Sequence, residues 1–395
     1  MFCKGFLLPL ALGASLWTHL SLASDCAQTV SQQAGSGATV AAKQFSRQIQ
    51  MARQAALRVY EQGLPLVAGS SRQIGRPPGL SLAVAVNGEV VWAEGFGFAD
   101  LEQCVPVTAK TKFRIGSVSK PLTAAAAALL YQEGKLSLDT PIQRYVPTFP
   151  DKGHVITTRQ LLGHLAGIRH YNAAEVDKEN QDIYHSVAES LRRFQDDPLV
   201  ADPGTKWSYS SYGYVLVSAA IEGASGQDFL SFMHDKLFLR LGMQETVPDE
   251  NGKIVHDRAR WYDLTNEGKY QNSPYADLSY KWAGGGFLST PEDLVRFGSA
   301  LLSPGFLQQS TLKEIFTPQR TNDGNETQYG LGWFIHVGAE RIYEHDGGST
   351  GSSSWLILYP DRHIVISWLM NNDDLRSNNQ TLREVAAPFL TDSGR

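Results

Sequence analysis

The sequence predicts an α/β fold, an α+β sandwich, on three observations. β-rich runs occur at 80–96 and return at 331–369. The long stretch between them, 135–282, reads mainly as helices. An Ala-rich apolar helix follows directly on the first strands. Strands at both ends with helices between imply one sheet completed from both ends of the chain, flanked by helices and interrupted by a mostly helical insertion. The expected segments are a signal peptide (1–23), a linker and N-terminal helix (24–78), the first part of the α/β domain (79–134), the inserted domain (135–282) and the second part of the α/β domain (283–395).

Phe45, Ile49, Ala52, Ala56, Leu57 and Tyr60 fall at helical spacing and predict an amphipathic helix. Gly63 and Pro65, then Arg76-Pro77-Pro78-Gly79, mark a loop. Leu80 to Val86 and Glu89 to Phe96 flank Asn87-Gly88, a dipeptide suited to a tight hairpin turn. Leu122 to Tyr131 is rich in the best helix formers and Gly134 is a natural stop. Thr158 to His164, Ile183 to Phe194, Tyr212 to Gly223 and Asp228 to Leu239 read as helices, and 259–270 as a hairpin. Thr290-Pro291-Glu292-Asp293 opens a further helix with a capping Thr, Pro at the first position and acids behind it. Strands return at 331–336, 341–345, 354–359 and 364–369, and a helix over 379–390 closes the fold.

The composition is that of a globular protein, 42% hydrophobic and 19% charged. A net charge of -5 without a basic run argues against a nucleic-acid partner. Lys4, the apolar run Phe6 to Trp17 and Ser21-Leu22-Ala23 read as a secretory signal, which predicts a periplasmic or secreted protein, tethered to a membrane only if the signal stays uncleaved. Asp25 before Cys26 argues against lipidation. With Cys3 lost alongside the signal, Cys26 and Cys104 are left either to pair or to stay as bystanders.

The chemistry centres on Ser117-Val118-Ser119-Lys120. Ser117 stands at the start of the apolar helix, and Lys120, three positions on, shares its face. A buried amine with a lowered pKa can take the proton of a serine hydroxyl and make it a nucleophile. Ser310-Thr311-Leu312-Lys313 has the same spacing, but in a polar stretch that reads as a solvated helix.

Three motifs then follow in order: Ser117-Val118-Ser119-Lys120, Tyr209-Ser210-Ser211, and His345-Asp346-Gly347-Gly348. This order resembles the penicillin-binding proteins and class C-like serine β-lactamases. Trp282 to Thr290, Leu161 to Tyr171 and Tyr145-Val146-Pro147 resemble, more specifically, the mitochondrial serine β-lactamase-like proteins and their bacterial relatives. The resemblance spans 78–369. It implies a β-lactamase/transpeptidase-like fold with an antiparallel sheet, and Ser117, Lys120 and Tyr209 as catalytic residues, with either Lys120 or Tyr209 as primary base. It also implies an oxyanion hole of the Ser117 and Gly348 N–H groups, and His345, Gly347 and Ser211 on the substrate side. His345 stands where many relatives carry Lys, and Ser211 where class C enzymes carry Asn; both departures turn the expectation away from an efficient β-lactamase.

The expectation is therefore a cofactor-free exported serine hydrolase acting on a peptide, a D-amino-acid amide or an ester. A β-lactamase and a non-catalytic filament-type protein are the alternatives. Gly347-Gly348-Ser349-Thr350-Gly351 also matches a nucleophile elbow, but a strand-forming run follows it where a helix is required. The ten His residues show no metal-ligand spacing. His164 reads as a loop or core residue, and Trp207, Tyr212 and Tyr214 as core or cleft wall.

Overall fold

The computed structural model describes residues 40–62, 76–172, 175, 181–265, 268–373 and 379–391. The signal-peptide and Cys26 readings lie outside these residues, as does most of the segment read as a linker, whose last five residues, Val40–Gln44, form a short helix instead. Cys104 is disulfide-bonded.

The strands are β1 (Gly79–Val86), β2 (Glu89–Asp100), β3 (Val105–Pro106), β4 (Phe113–Arg114), β5 (Val247–Pro248), β6 (Tyr262–Leu264), β7 (Tyr270–Asn272), β8 (Phe287–Ser289), β9 (Phe334–Val337), β10 (Arg341–Ser349), β11 (Ser352–Tyr359) and β12 (Ile364–Met370). Seven of them form one sheet in the order β3-β2-β1-β12-β11-β10-β9, with antiparallel pairing throughout. The seam between β1 and β12, where Leu80 faces Met370 and Val86 faces Ile364, joins the two ends of the chain. Asn87 (φ 53°) and Gly88 (φ 86°) both take the positive φ that a two-residue hairpin turn demands.

Strand alternation sorts the core onto two faces. Leu80, Leu82 and Val84 of β1 and Ile364, Ile366 and Trp368 of β12 face one layer, formed by helix α1 (Ser46–Gln62) and the closing helix Asn379–Thr391. Ala83 and Ala85 of β1 and Leu356 and Leu358 of β11 face the other, where α2 (Ser119–Gln132) lies with a longer set of helices. These include α3 (Thr158–Leu162), α4 (Val187–Leu191), α5 (Ser211–Ser225), α6 (Trp282–Gly285) and α7 (Pro291–Leu302). α7 is capped as its sequence predicts, the Asp293 N–H donating to Thr290 Oγ1 at 3.2 Å. The helix carrying Ser310 and Lys313 spans Gln309–Ile315 with both side chains exposed, so that spacing match is a surface feature.

A second small sheet, β4-β8-β5, was not evident from the sequence, because each strand is two or three residues long. It ties the segment leading into Ser117 to the insertion and to the Gly-rich turn before α7. Arg114 on β4 locks this junction. Its guanidinium pairs with Asp249 at 2.7 Å, donates to the carbonyls of Thr350 (3.1 Å) and Ala276 (3.2 Å), and stacks 4.7 Å from the Trp261 ring. Both partners of the ion pair are buried. Breaking this pair from the Arg114 side leaves buried Asp249 with the more distant Arg258, at 3.8 Å, as its counter-charge. Arg114→Met should therefore cost about 3–5 kcal/mol of unfolding free energy, measured by urea denaturation; a loss below about 1 kcal/mol would show that the junction does not depend on this pair.

Candidate active site

Ser117 lies in a single 3-10 turn, Gly116–Val118, which runs directly into α2. Gly116 adopts φ 45°, and a Cβ there would stand 2.6 Å from the carbonyl oxygen of Gly348. Only glycine lets the two backbones approach this closely. β9 pairs with β10 only from Arg341 to Glu344, so beyond Glu344 the outer edge of β10 has no strand neighbour among the described residues. That edge meets the Ser117 turn: a Cβ on Gly347 would lie 2.9 Å from the Ser117 nitrogen. A helix start and an open strand edge thus bring the Ser117 and Gly348 backbones together, the arrangement an oxyanion hole requires.

Lys120 is completely buried and reaches three oxygens: Ser117 Oγ at 2.9 Å, Ser211 Oγ at 3.1 Å and the Gly284 carbonyl at 2.8 Å. Burial, reinforced by the Lys281 charge, holds its pKa well below the usual lysine range; Asp346 pulls weakly the other way. The Gly284 carbonyl accepts only, so it takes one N–H. The two hydroxyls can donate or accept, so a neutral amine still has a lone pair to receive the Ser117 proton. Nζ also lies 4.6 Å from the centroid of the Tyr209 ring. Burial raises the Tyr209 phenol above its ordinary pKa, although a hydrogen bond with Ser117 opposes this. It therefore carries its proton at neutral pH.

The Tyr209-Ser210-Ser211 turn is held by two imidazoles. Ser210 N–H donates to His164 Nδ1 at 3.1 Å, and Ser211 N–H to His170 Nδ1 at 3.2 Å. Ser210 Oγ caps α5 by accepting from Gly213 N–H at 2.9 Å. His164, buried at φ 60°, packs its ring 4.3 Å from that of Tyr209, so it supports the site from behind rather than serving as plain core.

The structure gathers Ser117, Lys120, Tyr209, Ser211, Gly347 and Gly348 at one locus. His345 lies behind this locus, its ring centroid 6.3 Å from that of Tyr209. Its ring is 1% exposed; Nδ1 donates to the Asp346 carbonyl at 2.6 Å and Nε2 accepts from the Tyr329 hydroxyl at 3.0 Å. Burial lowers its pKa to about 3, so it is neutral. It is a support beneath the strand rather than a substrate-facing group, and its neighbour Asp346 lines the cleft instead.

The cleft, ≈ 490 Å³, opens over Ser117 and is walled by β10 and Phe334 on one side and by 276–285 on the other. Lys281, Asp346, His170 and Tyr171 in its lining were not singled out individually as site residues in the sequence. Trp207 forms cleft wall; Tyr212 and Tyr214 are buried. Ser349 ends β10 and β11 follows at Ser352, so no elbow forms. Among the described residues no group of three or more His, Cys, Asp or Glu side chains could hold a metal ion.

With this geometry, the comparisons with known proteins place the chain in a class. A Beta-lactamase family model matches residues 67–388, and the chain belongs to that family. It is 33% identical to the mitochondrial serine beta-lactamase-like protein LACTB of Homo sapiens, over 80% of this chain and 77% of that one. It is 29% identical to penicillin-binding protein 4* of Bacillus subtilis, over 78% and 72%. Among solved structures it resembles the octameric penicillin-binding protein homologue from Pyrococcus abyssi, with a TM-score of 0.66 and 28% identity over 75% of this chain and 70% of that one. The D-amino acid amidase of Ochrobactrum anthropi SV3 shares the fold, with a TM-score of 0.71 and 24% identity over 86% and 98%.

His164, His170 and His345 are all held neutral, chiefly by burial. Their folded pKa values lie below the unfolded value of about 6.5, so the unfolded chain binds more protons and stability falls as pH drops below about 6.5. For His170 the loss continues down to about 4. Each imidazole should contribute a slope of about 1.4 kcal/mol per pH unit in this window. His170→Asn, which keeps an acceptor for the Ser211 N–H, should remove one proton's share when unfolding free energies are compared at pH 6.5 and 5. An unchanged slope would mean that His170 is not held neutral.

Proposed function

We propose that the protein is a serine hydrolase whose Ser117 forms an acyl-enzyme on a peptide, an amino-acid amide or an ester. The observation that carries this reading is the buried Lys120 amine, 2.9 Å from Ser117 Oγ at the mouth of a cleft. A scaffold has no need to hold a lysine desolvated against a serine hydroxyl.

In this reading Lys120, its pKa lowered, is the base, and Tyr209, still protonated, is the relay. Ser117 Oγ attacks the substrate carbonyl carbon as its proton passes to Lys120. The oxyanion is held by the Ser117 and Gly348 N–H groups. The C–N or C–O bond then breaks, and the leaving group takes a proton by way of Tyr209. Water attacks the ester carbonyl, restores the Ser117 hydroxyl and releases the acid. Ser211 shares Lys120 with Ser117 and lines the cleft, so it both positions the amine and meets the substrate. Export is part of the proposal: it draws on the signal-like start of the sequence, and the disulfide at Cys104 is consistent with an oxidising compartment.

A fluorophosphonate should add once, as seen by intact mass, and Ser117→Ala should abolish the adduct together with turnover of a short-chain ester. Lys120→Arg, which keeps charge but cannot give up a proton, should lose at least about 100-fold in kcat. Adduct persisting in Ser117→Ala, or an Arg variant as active as the parent, would refute the assignment.

A further inference from the structure

The lining of the cleft carries charged residues of both signs. Glu175 is held by Arg169 at 2.7 Å and receives the Tyr212 hydroxyl at 2.9 Å. Asp263 accepts from Ser273, and Asp277 from Ser279 and Asn251. These acids stabilise the cleft walls they stand on. Asp346 and Lys281 differ from them in place. Asp346 lies on β10 two residues before Gly348, the proposed oxyanion donor. Lys281 immediately precedes α6, whose Gly284 carbonyl holds Lys120. The two elements meet at Gly116: a Cβ on Gly116 would strike Gly348, and one on Gly285 would lie 3.5 Å from Gly116. Ser117 therefore sits at the seam of a wall bearing a carboxylate and a wall bearing an ammonium, and both residues line the cleft.

Resting on the acyl-enzyme reading above, we propose that this cleft selects a zwitterionic substrate, a short peptide with both termini free, its ammonium at Asp346 and its carboxylate at Lys281. An extended dipeptide spans about 7 Å, two residues at about 3.5 Å each, with the scissile carbonyl between its charged ends. A nucleophile at the seam of two oppositely charged walls calls for a substrate whose own charges flank the scissile bond closely. A substrate bearing only a carboxylate meets Asp346 without compensation, and a like charge there is repelled. Cleavage follows the steps given above: Ser117 takes the acyl residue, the C–N bond breaks, the second residue leaves as a free amine carrying the relayed proton, and water releases the first.

The test is a four-substrate comparison: alanyl-alanine, its N-acetyl form, its C-terminal amide and the doubly blocked compound, each in the D,D and L,L series, at fixed pH and ionic strength. Fluorophosphonate labelling and ester turnover are followed in parallel. In the preferred series the free dipeptide should exceed each singly blocked form by at least about tenfold in kcat/KM. Asp346→Asn should erase the difference caused by N-acetylation but keep that caused by amidation. Lys281→Met should do the reverse. A doubly blocked compound cleaved as well as the free dipeptide, or variants that lower all four substrates alike, would overturn the proposal. So would failure to cleave any dipeptide by enzyme that is still labelled at Ser117, an outcome that leaves the acyl-enzyme reading standing. Absence of labelling would remove both.

Discussion

Everything in this structure depends on one costly arrangement, a lysine amine with no exposure to water. Lys120 cannot keep its charge cheaply in that environment, and its three oxygen neighbours fix its position whether it is charged or neutral. The partners come from distant parts of the sequence: Ser117 from the turn before α2, Ser211 from the first turn of α5, Gly284 from α6. Assembling them requires the helical insertion and both parts of the α/β core to be in place at once. The Arg114–Asp249 pair serves that assembly, because it links β4, three residues before Ser117, to the cleft-lining positions Ala276 and Thr350.

Polarity is graded away from this centre. Behind Tyr209 lie the neutral rings of His164, His345, Tyr214 and Tyr329, a set without net charge that keeps the dielectric low around Lys120. In front lies the cleft, with Asp346 and Lys281 in its lining. The low-dielectric rear lowers the amine's pKa, while the charged front offers handles for a substrate. The same site thus separates activation of the nucleophile from recognition of the ligand.

Much of this could be read from the sequence where the cause is local. Asn87-Gly88 set a hairpin, Thr290-Pro291 set a helix start, and Ser117 with Lys120 share a face because three residues span nearly one helical turn. The β-rich runs 80–86 and 364–369 also located β1 and β12, although both strands are buried along their whole length and carry no alternation that would tell one face from the other. What could not be read was non-local. Lys281 and Gly284 reach the site through chain folding alone, and the β4-β8-β5 sheet is too short to leave a periodic trace. His345 was expected to face the substrate because the resemblance places a cation there; in this chain the imidazole turns inward to Tyr329, and the carboxylate of Asp346 stands in the cleft. Strand alternation alone would have indicated that His345 and Asp346 point to opposite sides.

The central claim is that Lys120 is neutral at the pH where the protein works. Its most direct test is the titration of lysine side chains by NMR in protein carrying 13C-lysine, with Lys120→Met used to assign the one resonance that disappears. That resonance should titrate well below the ordinary lysine value of about 10.4. A Lys120 signal that remains in its protonated position until pH about 10 would contradict the account.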